Sequence, residues 1–416
     1  MNEYKRSKRS PAILAGIAVI LLLALVTACQ KESEEPSGDT YLIDYTLHHL
    51  NSPEIIQAFL SAFAMEYPEA GNILENSDYG IKVYIMTYRT HYKDSLITAS
   101  GLVCLPAADG NFPVISFQNG TNTAHDHCPT KDPYDEGYFL MQAMASNGYI
   151  VLIPDYIGFG ASEEILHPYY HRVSTNNAVI DMLHAFDEMK LKSDILAGST
   201  DHTYLMGYSQ GGWATLSVLD ALENGEEAGI NITAASCGAG AYDLMTMSTN
   251  ILNLDTYPGP HYLPYFIYSQ QDMGLLQEPL DKFFKTPYLE KIPQLFDGSL
   301  NNDEVNSQLT DQIPDLVTVS LIDDFQDGQE YGRLRELLAE NSVYAWDTNI
   351  KLHFYHGTAD QHVPPEQSSM IYNNFLAAGA NPDLVGYTEF SGLDHGSGLF
   401  PWGISSITWF NTLENK

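Results

Sequence analysis

Positive charge is scarce in this chain: 19 Lys+Arg stand against 53 Asp+Glu in 416 residues, a formal net charge of −34. Nucleic-acid binding neutralises phosphates with clustered Lys and Arg, so an acidic balance of this size excludes that partner class. It also excludes adhesion to anionic headgroups through a basic patch. Cysteine is sparse as well. Four Cys, with no C-x-x-C pair, are too few for a disulfide scaffold. Internal repeats are absent from the sequence, and the one long uncharged apolar run lies near the N-terminus. What is plentiful is core material: 44% hydrophobic and 12% aromatic residues exclude wholesale disorder. The length suits one large α/β domain with insertions, or roughly two to three smaller domains.

The N-terminus departs from the overall charge pattern. Lys5, Arg6, Lys8 and Arg9 precede residues 12–28, which carry no charge and end in small residues. That arrangement has the form of a secretory signal, and the run is at the short limit for a membrane span. Val26-Thr27-Ala28-Cys29 resembles the bacterial lipobox, in which the Cys becomes the acylated first residue after cleavage. The resemblance implies a signal over 1–28 and lipidation of Cys29 with membrane attachment through it; residues 29–39 are polar and lack an apolar run, so they read as a tether. The same resemblance implies a bacterial cell-envelope location, either periplasmic or surface-exposed. The acidic cluster Glu32, Glu34 and Glu35 is also similar to export signals of some Gram-negative lipoproteins.

Beyond the tether, residues 40–78 are mixed and Pro-interrupted, with a helix predicted near 53–67. Residues 81–92 and 95–105 are rich in β-branched and aromatic residues and predict a hairpin or meander. The rhythm then alternates. Strand-length apolar runs at 113–117, 149–154, 203–207, 232–237, 350–355 and 384–390 are separated by helical segments near 174–192, 210–223 and 365–378. Ser174 is the expected N-cap of the first of these. Alternation of this kind predicts an α/β fold with a mostly parallel central sheet flanked by helices. The rhythm stops between about 240 and 348, where aromatics cluster, so a mainly helical cap insertion is expected there. The expected domain halves are 40–239 and 349–416.

Gly207-Tyr208-Ser209-Gln210-Gly211-Gly212 fits G-x-S-x-G between a predicted strand and a predicted helix. A sharp strand-to-helix turn exposes such a serine, and its flanking glycines permit close backbone approach. Composition alone yields on the order of 0.15 chance matches in a chain this long, so the strand-before, helix-after context decides. A serine hydroxyl needs a base to take its proton and a carboxylate to orient that base. Asp360 follows the 350–355 strand and His395 follows the 384–390 strand, which gives the order Ser209, Asp360, His395.

The rivals are weaker. Asp394 neighbours His395 in sequence and would diverge from it, and Asp383 precedes a strand, at the wrong sheet edge. His353 lies within a strand, while His356 and His362 bracket the acid loop and are expected to shape it. A tetrahedral intermediate also needs preorganised donors for its oxyanion. The backbone N–H groups of Gln210 and Thr121 are the candidates, Thr121 lying in the loop directly after 113–117.

These segments resemble the α/β-hydrolase superfamily, and within it the secretory lipases and related esterases. The likeness rests on G-Y-S-Q-G-G at 207–212, D-Y-I-G-F-G at 155–160, H-P-Y at 167–169, F-Q-N-G-T at 117–121 and H-G-T-A-D at 356–360. It spans roughly residue 83 to the C-terminus, with a divergent cap. Relatives commonly have His before the glycine of the oxyanion loop, where this chain has Asn119. The resemblance implies carboxylic-ester hydrolysis through an acyl-enzyme, on a small-molecule or lipid ester, without metal or organic cofactor. It gives Asp155 a supporting role in the loop beside the nucleophile.

His125, His127 and Cys128, like His167 and His171, have spacings that suit a metal but lack a fourth ligand. Cys104 and Cys128 form a candidate bridge, and Cys237 is expected buried in a strand. The triad specifies only acyl transfer, so a peptidase or acyltransferase stays open beside the esterase. From a different class, a non-catalytic surface protein that binds a ligand through a capped cleft also stays open.

Overall fold

The computed structural model describes residues 40–225 and 229–415. The signal segment, Cys29 and the tether to residue 39 lie outside the described residues.

A nine-stranded sheet has the order β1-β2-β3-β5-β4-β6-β7-β8-β9. Three strands enter antiparallel: β1 (Leu42–Asn51), β2 (Ile81–Tyr92) and β3 (Ser95–Pro106). The predicted hairpin is β2–β3, paired without a slip from Ile81↔Pro106 to Tyr92↔Ser95. Six parallel strands complete the sheet: β4 (Gly110–Gln118), β5 (Ile150–Pro154), β6 (Ala197–Tyr208), β7 (Ile232–Gly238), β8 (Lys351–Gly357) and β9 (Val385–Phe390). Because β5 is buried along its whole length, its side chains divide between two cores. Ile150 and Leu152 join one cluster, Val151 and Ile153 the other.

Helices cover both faces. They include α1 (Pro53–Glu66), α2 (Glu136–Ala143), α3 (Arg172–Met189) and α4 (Gln210–Asn224). The connection from β7 to β8 carries α5 (Leu244–Leu252), α6 (Tyr262–Asp272), α7 (Gly332–Glu340) and several shorter turns of helix. After β8 come α8 (Glu366–Ala378) and, following β9, α9 (Leu399–Leu413). Val179 and Phe186 of α3 and the fully buried Trp213 of α4 pack in one core; Trp402 and Phe410 of α9 pack in the other.

Two expectations are corrected. Ser174 is not the N-cap of α3. The helix begins two residues earlier, and His171 caps it, its Nδ1 accepting from the Ser174 N–H at 3.4 Å and facing the Ser174 hydroxyl at 2.7 Å. Cys104 and Cys128 do not form a bridge: both thiols are free and buried, in the cores on opposite faces of the sheet. Burial pushes the Cys128 thiol up to about 12, far from a reactive thiolate. Cys237 is buried within β7, as its strand position predicts.

Candidate active site

Ser209 sits between the last residue of β6 and the first of α4, at φ 59° and ψ −122°. A non-glycine residue in that region costs about 1–3 kcal/mol and persists only when its surroundings over-determine it. Here the Ser209 N–H donates to the Gly238 carbonyl of β7 at 2.8 Å, and the Trp213 N–H donates to the Ser209 carbonyl at 3.2 Å. Glycine is required nearby for space rather than freedom. A Cβ on Gly207 would overlap the Gly211 carbonyl, and one on Gly211 would overlap the Gln118 carbonyl at the end of β4. The two glycines let the elbow close against itself and against the neighbouring strand.

Parallel strands end together, so the loops after β4, β6, β8 and β9 meet at one sheet edge, the usual ligand-bearing edge of such sheets. The three residues singled out in sequence are brought together there. Ser209 Oγ lies 2.9 Å from His395 Nε2, and His395 Nδ1 lies 2.6 Å from Asp360 Oδ2. These partners assign the tautomer: Nδ1–H donates to the carboxylate and Nε2 accepts from the serine. Ser209 and Asp360 are buried, while the His395 side chain is 14% exposed.

Asp360 is saturated with donors. Its Oδ1 accepts from the backbone N–H of His362 and of Val363, each at 2.9 Å; its Oδ2 also accepts from His356 Nε2 at 3.2 Å. Burial opposes ionisation, but the hydrogen bonds from His356, His395 and the Val363 N–H outweigh it and hold the carboxyl well below the usual carboxylate range. His356 shapes the acid loop as expected. Its Nε2–H also reaches the Val363 carbonyl at 2.9 Å, and its Nδ1 accepts from the Ser368 hydroxyl at 2.7 Å. His362 stacks on the His395 ring, centroids 5.4 Å apart. Asp394 is spent on Ser397 instead, accepting from its N–H at 2.8 Å.

The loop after β4 runs past Ser209: a Cβ on Gly120 would be 3.9 Å from the Ser209 Cβ. Among the described residues, neither the Thr121 nor the Gln210 N–H donates to a backbone carbonyl outside the helices and strands. Thr121 is clamped by contacts that sequence reasoning missed. Its carbonyl accepts from Asn302 Nδ2 at 2.8 Å, and its hydroxyl meets the Tyr169 hydroxyl at 2.8 Å. Asn119 Nδ2 donates to the Pro154 carbonyl at 2.9 Å, which fixes the loop to β5.

The Gln210 side chain donates to His167 Nε2 at 3.0 Å, and His167 Nδ1–H donates to the Ile157 carbonyl at 2.7 Å. Burial lowers His167 to about 4, so the ring is neutral near pH 7, where that pattern requires it to be. Asp155, directly after β5, ties β3 to the loop that follows β4. It accepts from Ser100 Oγ at 2.5 Å, Thr130 Oγ1 at 2.6 Å and the Thr130 N–H at 2.9 Å.

Two cavities meet at Ser209, both bounded also by Thr121 and Tyr262. One is about 50 Å³ and is walled by apolar residues of the β7–β8 connection; the other is about 390 Å³ and includes His395.

Residues 134–254 match the family model of the secretory lipases. No curated protein sequence is matched. Among solved structures, a presumed hydrolase from Legionella pneumophila is 26% identical, with 89% of this chain and 98% of that chain covered at a TM-score of 0.78. The rice cell wall degrading esterase LipA of Xanthomonas oryzae is 20% identical, covering 90% and 97% at 0.76. Candida antarctica lipase A in its closed state is 16% identical, covering 77% and 74% at 0.58. The mostly parallel sheet, the loops at its edge and these likenesses agree: the chain is a protein of the α/β-hydrolase type, similar over residues 134–254 to the secretory lipases.

Proposed function

We propose that the protein is a serine carboxylic-ester hydrolase, and the observation that supports this most is the Ser209–His395–Asp360 hydrogen-bonded chain on a strained turn. In this reading Ser209 Oγ attacks the ester carbonyl carbon while His395 Nε2 takes its proton. Asp360 holds the imidazole tautomer and stabilises the imidazolium. The N–H groups of Gln210 and Thr121 receive the negative charge that develops on the carbonyl oxygen. His395 then returns the proton to the leaving alcohol oxygen as the C–O bond breaks, and water releases the acid by the same steps in reverse. The β7–β8 connection acts as the cap over this site. Cys29, outside the described residues, carries the lipid that attaches the protein to the bacterial cell envelope.

Ser209→Ala is expected to abolish turnover of p-nitrophenyl acyl esters while thermal melting is unchanged, and an organophosphonate probe is expected to label Ser209 in the native chain. Near-native turnover by that variant would sink the assignment. Labelled palmitate incorporated by the native chain but not by Cys29→Ser tests the anchor.

A further inference from the structure

Every ester has two sides, and the two cavities at Ser209 differ in a way that assigns them. The proton removed from the serine must be delivered to the leaving oxygen by the same imidazole, so the alcohol portion has to lie on the imidazole side of the nucleophile. His395 borders the larger cavity and not the smaller. The acyl chain therefore takes the smaller one.

The smaller cavity is lined by Leu244, Met247, Ile251, Leu263 and Phe266 from α5 and α6, all buried in the main core. Its volume is about 50 Å³. A water's share of liquid volume is about 30 Å³, so this holds about two waters, hence about two carbons of acyl chain beyond the carbonyl, since a methylene and a water are of similar size. The larger cavity is about 390 Å³. Its walls include Phe117, Tyr208 and Trp402, which are buried, with Phe400 from α9 and with His127 and Asp135 also on its lining. An alcohol with a bulky apolar body fits such walls.

We propose that the site selects short-chain acyl esters of bulky, largely apolar alcohols, with the acyl group under α5 and α6 and the alcohol along α9. This rests on the esterase reading of Ser209, His395 and Asp360. The reaction is balanced as ester plus water giving a short carboxylic acid and the alcohol. The proton released from Ser209 Oγ goes by way of His395 Nε2 to the alcohol oxygen, and the proton of the attacking water returns to Ser209 Oγ.

Purified full-length protein is assayed on 2-naphthylmethyl esters of rising acyl length, and on ethyl acetate, whose alcohol is of comparable basicity. Acetate and butyrate are expected to exceed octanoate and palmitate at least about tenfold in kcat/KM, and 2-naphthylmethyl acetate to exceed ethyl acetate by about as much. Two variants separate the subsites. Met247→Ala is expected to move the acyl optimum about two to three carbons longer, since it deepens the pocket by that length of chain. Gly403 lies on the larger cavity, where a Cβ would meet nothing within 4 Å. Gly403→Trp is expected to cut turnover of the naphthylmethyl ester at least about tenfold, with less than about a threefold effect on ethyl acetate. Phosphonate labelling of Ser209 reports that each variant is folded at the site. A preference for long acyl chains, or a Gly403→Trp variant that slows both esters equally, overturns the subsite assignment alone. Absence of both labelling and turnover of every ester overturns the esterase reading and this inference with it.

Discussion

Tyr208, the residue immediately before Ser209, donates its hydroxyl hydrogen to the backbone carbonyl of His395 at 2.7 Å. Ser209 meets the same histidine through its Nε2. Two consecutive residues thus fix the backbone and the ring of the proposed base, which comes from a loop 186 positions later in the chain. Tyr208→Phe removes the backbone tie and keeps the ring packing. The expected result is a roughly three- to tenfold loss of kcat with KM nearly unchanged, because the loop that positions the imidazole loosens. Steady-state kinetics on p-nitrophenyl acetate provide the check, and an unaltered kcat would show the tie to be idle.

Asp360→Asn tests the orienting carboxylate. Donors approach both of its oxygens, so an amide places its own NH₂ against at least one of them and favours the wrong His395 tautomer. Turnover is expected to fall by about three to four orders of magnitude, with far-UV circular dichroism preserved. A loss of less than about tenfold would mean that another group orients the ring.

Gly211→Ala places a Cβ against the Gln118 and Asn119 carbonyls. Relief requires moving either the start of α4 or the loop that leads to Thr121. The expected cost is about 1–3 kcal/mol in urea unfolding, together with loss of esterase activity beyond what the residual stability explains. Native-like values for both would contradict the close approach.

Acid should destabilise the fold before it reaches the carboxylates. His167 and His261 are buried, and burial lowers each to about 4. An unfolded imidazole takes up its proton near about 6.5. Between those values the unfolded chain binds more protons, so stability rises with pH across that window. The contribution is complete above about 6.5 and is lost as pH falls toward about 4. Tm is expected to drop by several degrees from about pH 7 to about pH 5, and His261→Gln should flatten that slope. A Tm constant over the interval would show that these rings are not held neutral.

The parallel strands and the meeting of Ser209, Asp360 and His395 were legible because each depends on a local pattern: an apolar run, then a loop bearing a polar residue. Contacts between distant segments left no such mark. Asn302 holds Thr121 from 181 positions away, and nothing around Asn302 distinguishes it from a surface turn residue. Elements decided by packing rather than propensity were equally hidden. Helix α9 contains Pro401, Gly403 and several β-branched residues, poor helix formers that are carried by the burial of Trp402, Ile407 and Phe410. Strand β1 has little alternation, and its exposed outer edge gives no periodic signal. The helix starting at Arg172 shows a third reason, since a half-buried imidazole served as cap where a serine was the conventional choice.

The long connection between β7 and β8 also orders events in time. The proposed nucleophile is complete once Gly238 is in place, but its acid and base belong to β8 and β9, beyond that connection. A chain growing from its N-terminus therefore carries an unactivated hydroxyl through the making of more than a hundred further residues. On the proposed reading it acquires reactivity only when its last two strands dock, so an interrupted or truncated product is expected to be inert toward the esters around it.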